Sequence, residues 1–340
     1  MNIQEIKLTT NPGASLTAYM PEVHSELANI ERRPGILVIP GGAYMFLSAR
    51  EAEPVALAYA AQGYHAFVLR YSVGKEHHWP QPLEDAQEAM QVIISHAEEW
   101  KVDEKRIAAV GFSAGGHLAA ALGTMGAIRP AALILGYPCT LDSLGKILVF
   151  PVPGLPDKVD DKTPPVFLFS TYEDDVVPIS NSVRFLDALN RNRIPFECHI
   201  FQKGCHGLAL AKPLTSAGFK QNVEEDAAKW FDLSVCWLHN LWGDFPSEHS
   251  KSRRRASDMK EYSVNVTVES MIGNPAVKEL LLQVAPALAD PDMMDQAAPL
   301  TVTQINREIA EQYRLSQEQM EQLNAALKAI PYTESQRDTL

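Results

Sequence analysis

The sequence predicts an α/β fold: a mostly parallel central sheet flanked by helices, followed by a small, mainly helical C-terminal domain. Three observations predict it. From about residue 34 to 245, short apolar runs alternate with longer amphipathic ones. Composition then changes, and a polar stretch separates this region from a set of helix signals. No self-similarity at the periods of solenoids or propellers interrupts the pattern.

Taken in order, strands are expected at 35–39, 65–71, 107–112, 131–135, 166–170 and 196–201, each a short run rich in apolar or β-branched residues. Helices are expected at 52–62, 83–100, 115–123, 180–190 and 224–241. These elements make residues 1–245 the first domain. Residues 246–262, PSEHSKSRRRASDMKEY, have no apolar periodicity and read as a linker whose Arg253-Arg254-Arg255 run is a solvated face. In the last domain, 263–340, Val264, Val266 and Val268 alternate as a short strand would. Asn274-Pro275 then supplies a helix cap and first residue. Thr301 with Gln304 and Ser316 with Gln319 form two capping boxes, the second bracketed by Leu315 and Met320. Met320, Leu323 and Leu327 continue the stripe until Pro331. Such a stripe first buries itself, and it is also the candidate surface for a homo-oligomer.

Composition narrows function. The chain has 340 residues, of which 46% are hydrophobic and 21% charged, as in soluble globular proteins. A net charge of -12 repels polyanions, so no nucleic-acid partner is expected. The N-terminal MNIQEIKLTTNPGASL carries neither a basic first segment nor an unbroken apolar stretch, so neither a secretory signal nor a membrane anchor is expected. Cys139, Cys198, Cys205 and Cys236 fall at irregular spacing, which suits reduced thiols and a cytoplasmic protein. No ligand cluster has workable spacing, so neither a metal nor an organic cofactor is expected.

The chemistry gathers around Gly111-Phe112-Ser113-Ala114-Gly115-Gly116. A strand running straight into a helix forces its corner residue into a strained position, and the neighbours two places away must be nearly free of side chain. Gly111 and Gly115 meet that need, and the turn should present the Ser113 hydroxyl to solvent. It also aims the Ala114 N–H at any oxygen over the serine, where the helix dipole favours negative charge. A second small-residue turn, Pro40-Gly41-Gly42-Ala43, ends an earlier strand and lets the N–H groups of Gly42 and Ala43 approach the same oxygen.

A serine needs a base and an orienting acid, which follow such a nucleophile in the order acid, then histidine. Tyr172-Glu173-Asp174-Asp175 follows the 166–170 strand, with Asp174 the candidate acid and Glu173 and Asp175 its rivals. His206 lies on the glycine-flanked loop Gly204-Cys205-His206-Gly207 after the 196–201 strand and is the candidate base. His77 and His78 read as a surface pair, and His117 as a structural residue packed beneath the site.

The stretches PGGAYMFLSAREAEPVALAYAAQGYHAFVLRYSV, RIAAVGFSAGGHLAA, PPVFLFSTYEDDVVP and FQKGCHG resemble the α/β-hydrolase esterases, nearest the bacterial acetyl esterase, xylan deacetylase and feruloyl-esterase-like group. The resemblance spans residues 35–210. It implies a serine hydrolase of short acyl esters, acetyl above all, with an acetylated sugar such as a xylo-oligosaccharide as small-molecule substrate. It also implies Ser113, Asp174 and His206 as catalytic triad, with Gly42, Ala43 and Ala114 as oxyanion donors. The chain departs from the group at Cys205, where glycine is common, and in the short, proline-rich 138–165 segment that should wall the pocket. Two other readings share these residues: an arylformamidase-like or peptidase-like amidase, and a non-catalytic binding protein on the same fold.

Overall fold

Ile36, Leu37, Val38 and Ile39 follow one another with no polar residue between them, as a strand covered on both faces requires. They form the middle of β3 in a computed structural model that describes residues 1–24, 27, 29–143, 148–245 and 261–332. The strands are β1 (Asn2–Lys7), β2 (Ser15–Met20), β3 (Arg33–Ile39), β4 (His65–Arg70), β5 (Val102–Phe112), β6 (Ala132–Gly136), β7 (Val166–Thr171) and β8 (Phe196–Phe201). They make one eight-stranded sheet in the order β1-β2-β4-β3-β5-β6-β7-β8. From β4 to β8 every pairing is parallel, whereas β1 with β2 and β2 with β4 pair antiparallel.

Because side chains alternate across a strand, each β-run feeds two cores. Leu37, Ile39, Phe67 and Leu69 pack on one face with α2 (Gln81–Ser95), α4 (Ser113–Met125) and α5 (Ser180–Arg191). Ile36, Val38, Val110 and Phe112 pack on the other with α1 (Glu53–Ala61) and α7 (Trp230–Trp242). The helix expected over 83–100 breaks at His96 into α2 and α3 (Ala97–Trp100), and that over 224–241 breaks at Lys229 into α6 (Glu225–Ala228) and α7. Parallel strands place the carboxyl ends of β3, β5, β7 and β8 on one edge, where open α/β sheets bind their ligands.

The chain divides into two compact units, one of residues 1–24 and 29–245, the other containing the described residues 261–332. Of the linker expected at 246–262, only Glu261 and Tyr262 lie within the described residues. The second unit holds α8 (Val268–Met271), α9 (Pro275–Val284), α10 (Pro291–Ala297), α11 (Val302–Glu308) and α12 (Gln317–Ala329) around Val264, Val268, Met271, Val277, Leu281, Leu323 and Leu327. Asn274 caps α9, and both expected capping boxes form, at Thr301 and Ser316. The strand expected at Val264, Val266 and Val268 does not form. The Val266 N–H donates back to the Ser263 carbonyl, closing a turn, and Val268 begins α8. A single bridge between Thr267 and Thr301 is left, since an alternating run with no adjacent strand has no ladder to join. Among the described residues no helix is long and apolar enough to cross a membrane.

Candidate active site

Ser113 stands at the junction of β5 and α4 with a φ of +52°, the left-handed region that a residue with a side chain enters only when its surroundings impose it. The imposing contacts are tight. A Cβ on Gly111 would lie 2.2 Å from the Gly115 carbonyl oxygen, and one on Gly115 would lie 2.2 Å from the Ile39 oxygen. Neither position admits another residue, so the two glycines let β5, α4 and the end of β3 close on the serine. The expected exposure of the hydroxyl is corrected here: Ser113 is only 8% exposed. The Cys139 N–H donates to the Ser113 carbonyl oxygen at 3.1 Å, tying the segment after β6 to the corner.

Three side chains from distant parts of the sequence meet at that corner. The Ser113 hydroxyl is 2.8 Å from His206 Nε2, and His206 Nδ1 is 2.7 Å from Asp174 Oδ2. A carboxylate oxygen can only accept, so the imidazole proton sits on Nδ1 and Nε2 accepts from the serine. The second Asp174 oxygen accepts from the N–H groups of Val176 and Val177 at 2.9 and 2.8 Å, which fixes the carboxylate's orientation. Its rivals Glu173 and Asp175 are exposed. Thr171, at the end of β7, donates to the Gly204 carbonyl, and Arg50 donates to the carbonyls of Gly207 and Thr215, so both sides of the His206 loop are held. Cys205 turns its thiol toward the Gln221 carbonyl and the Asn222 side chain instead of the serine.

The turn after β3 abuts the serine, since a Cβ on Gly41 would fall 3.1 Å from Ser113 Cβ. Gly42 has a φ of +130°, and a Cβ there would lie 2.0 Å from the Phe46 carbonyl oxygen. The next residues, Ala43 and Tyr44, are also left-handed, at +54° and +59°. The Gly41 N–H is taken by Glu51, whereas those of Gly42 and Ala43 have no acceptor among the described residues. Ala114, in the first turn of α4, likewise has an N–H with no partner inside its helix. The N–H groups of Gly42, Ala43 and Ala114 are thus left without a backbone acceptor on the two turns that meet at Ser113.

Sequence reasoning missed several groups that hold this arrangement. Glu51 is 2% exposed, yet it accepts from the Gly41 N–H at 2.9 Å and from the Tyr137 hydroxyl at 2.7 Å. Tyr137 in turn accepts from the Ala209 N–H, and its ring packs edge-on against His206. Burial and the neighbouring Glu51 push the Tyr137 phenol well above its usual range, so it stays a donor. His117, placed beneath the site by the sequence, is fully buried; Tyr44 donates to its Nδ1, and its Nε2 donates to the Pro153 carbonyl. Burial lowers its pKa to about 4, so it is neutral near pH 7. The Cys139 thiol lies 3.8 Å from Ser113 Oγ, and burial pushes it up to about 12, which keeps it from competing as a nucleophile. A polar residue whose partners lie elsewhere in the chain leaves no periodicity in the sequence, so nothing there marked Glu51.

Residues 18–132 match the BD-FAE family and residues 155–233 the prolyl oligopeptidase family. A crystal structure of MGS-M1, an α/β hydrolase enzyme from a Medee basin deep-sea metagenome library, is 44% identical; the match covers 71% of this chain and 98% of that one, with a TM-score of 0.68. Endo-1,4-beta-xylanase B of Butyrivibrio fibrisolvens is 34% identical over 57% of this chain and 35% of its own length. The acetylxylan esterase of Xylanibacter ruminicola is 24% identical over 66% of this chain and 49% of its own length. The chain therefore spans less than half the length of these two curated relatives.

Proposed function

The chain belongs to the α/β-hydrolase esterases, the group related to acetylxylan esterases, and from that premise we propose that it hydrolyses short acyl esters, acetyl esters of carbohydrate above all. The observation that carries the proposal is the unbroken line of hydrogen bonds from Ser113 Oγ through His206 to Asp174. His206 Nε2 takes the hydroxyl proton as the serine attacks the ester carbonyl, and Asp174 holds the imidazole in the tautomer that can do so. Charge that develops on the carbonyl oxygen meets the N–H groups of Gly42, Ala43 and Ala114. The protonated histidine then gives its proton to the departing alcohol, leaving an acyl group on Ser113. Water, deprotonated by the same imidazole, releases the acid and restores the serine.

A sugar as alcohol portion draws support from the rim. Phe46 and Tyr172 are exposed on the loops that carry the oxyanion turn and the acid, and flat apolar rings of this kind stack on sugar faces. The same groups could open a C–N bond, and the match of residues 155–233 to the prolyl oligopeptidase family favours an amidase as the second reading, because that segment holds Asp174 and His206.

Fluorophosphonate labelling of Ser113 separates either enzyme from an inert binding protein, since only an activated serine reacts. A competition panel of acetylated xylo-oligosaccharides, a formylated arylamine and a peptide p-nitroanilide then chooses between bonds. Faster turnover of the amides would overturn the ester assignment. With and without residues 246–340, the same panel reads out what the helical unit adds to carbohydrate turnover.

A further inference from the structure

One buried carboxylate touches both halves of the site. Glu51 sits in the short turn preceding α1, far in sequence from the His206 loop. Its Oε2 accepts from Gly41, the residue that opens the Gly42-Ala43 turn, and its Oε1 accepts from Tyr137. Tyr137 is itself left-handed, with a φ of +37°, and its hydroxyl accepts from the Ala209 N–H three residues beyond His206. Arg50, the neighbour of Glu51, grips the same loop through the Gly207 and Thr215 carbonyls at 2.6 and 3.1 Å. A carboxyl group 2% exposed costs stability unless its acceptors are filled, and here the Gly41 N–H and the Tyr137 hydroxyl fill one oxygen each.

We propose that Glu51 is a positioning residue: through Gly41 on one side and through Tyr137 and Ala209 on the other, it sets the oxyanion donors and the His206 loop in register with each other. The role rests on the ester hydrolysis proposed above. It is distinct from that of Asp174, which orients the imidazole ring itself. Glu51 touches neither the histidine nor the substrate. It fixes the separation between the place where negative charge develops and the place where the proton goes, a distance that must hold to fractions of an ångström for both to act on one carbonyl.

Two variants test this. Glu51→Gln keeps the size but offers a single acceptor atom, so either the Gly41 N–H or the Tyr137 hydroxyl must face an NH2 group. Tyr137→Phe keeps the ring against His206 and removes only the hydroxyl that links Glu51 to Ala209. On a short p-nitrophenyl ester, Glu51→Gln should lower kcat by about 100-fold and Tyr137→Phe by about tenfold, with KM nearly unchanged. Affinity for a boronic acid, which becomes tetrahedral on the serine, should fall by similar factors. A purely structural role would instead lower the melting temperature while leaving kcat per fluorophosphonate-labelled site, and boronate affinity, where they were.

That second result in the variants, where the wild-type chain labels and turns over ester, overturns the positioning role of Glu51 alone. A wild-type chain that neither labels nor turns over ester overturns the proposed function first. If Glu51→Gln does not fold, Tyr137→Phe carries the test, and an unchanged kcat there counts against the proposal.

Discussion

The loops at the carboxyl edge of the sheet and the helical unit of residues 261–332 are built by opposite means. Around the site, Ala43, Tyr44, Ser113, Tyr137, Ala209 and Ala211 all have positive φ, although none is glycine. Among the described residues of the helical unit no non-glycine residue does. The contrast extends to helix ends. Asn274, Asp290, Thr301 and Ser316 cap four helices of the small unit with their own side chains, whereas none of α1 to α7 has a side-chain cap. Helices of the small unit are thus fixed by neighbours in sequence. Those of the large unit are fixed by the sheet they cover, and that surplus of tertiary constraint is what lets the site hold strained residues.

Perturbing the two regions should expose the difference. The largest effect belongs to Ser113→Ala, expected to cut turnover of a short p-nitrophenyl ester by roughly 10^4-fold or more without lowering the melting temperature, because the hydroxyl serves chemistry and not packing. Retained turnover would remove Ser113 from the mechanism. Next comes Gly42→Ala, whose Cβ would fall 2.0 Å from the Phe46 oxygen and push the oxyanion turn off the serine. Its kcat should drop by about 100-fold or more, and a wild-type kcat would show that the turn supplies no donor.

A third test uses pH. His117 and His65 both have pKa values lowered from 6.5 to about 4, in each case first by burial. Below pH 6.5 the unfolded chain takes up protons that the folded one refuses until about pH 4. Stability is therefore full above pH 6.5 and falls as pH drops between those values. His117 alone should cost about 3 kcal/mol across that window, read by urea unfolding at pH 7 and pH 4. A flat profile would mean that the imidazole is not held neutral between Tyr44 and Pro153. The smallest effect lies in the helical unit. Ser316→Ala should destabilise α12 by about 1 kcal/mol and leave kcat unchanged. A change in ester turnover would show that the two regions are less independent than their construction suggests.

Legibility followed the same divide. Capping boxes are read within four residues, and those at Thr301 and Ser316 formed where the sequence put them. The parallel strands announced themselves as unbroken apolar runs. The antiparallel pair β1 and β2 went unread: β1 is an edge strand with Ile3 mostly exposed, so it carries no core signal. The one available cue was Asn11-Pro12-Gly13, whose glycine turns at a φ of +90° between the two strands. At the site, Ser113, His206 and the acidic loop that holds Asp174 were legible because each sits beside glycines or at a strand end. Glu51, Arg50, Tyr137 and Cys139 were not, because their partners lie tens to more than a hundred residues away.

By itself, then, the sequence determined whatever depends on neighbours along the chain: the alternation of strand and helix, the glycines that a left-handed corner demands, the caps, and the order of serine, acid and base. Tertiary structure alone decided that Ser113 is buried, that Asp174 and not Glu173 or Asp175 meets the imidazole, and that a single glutamate joins two distant loops. The physical reason is range. Backbone sterics and capping act over a few residues, while burial and hydrogen bonds between loops exist only once the sheet has brought its strand ends together.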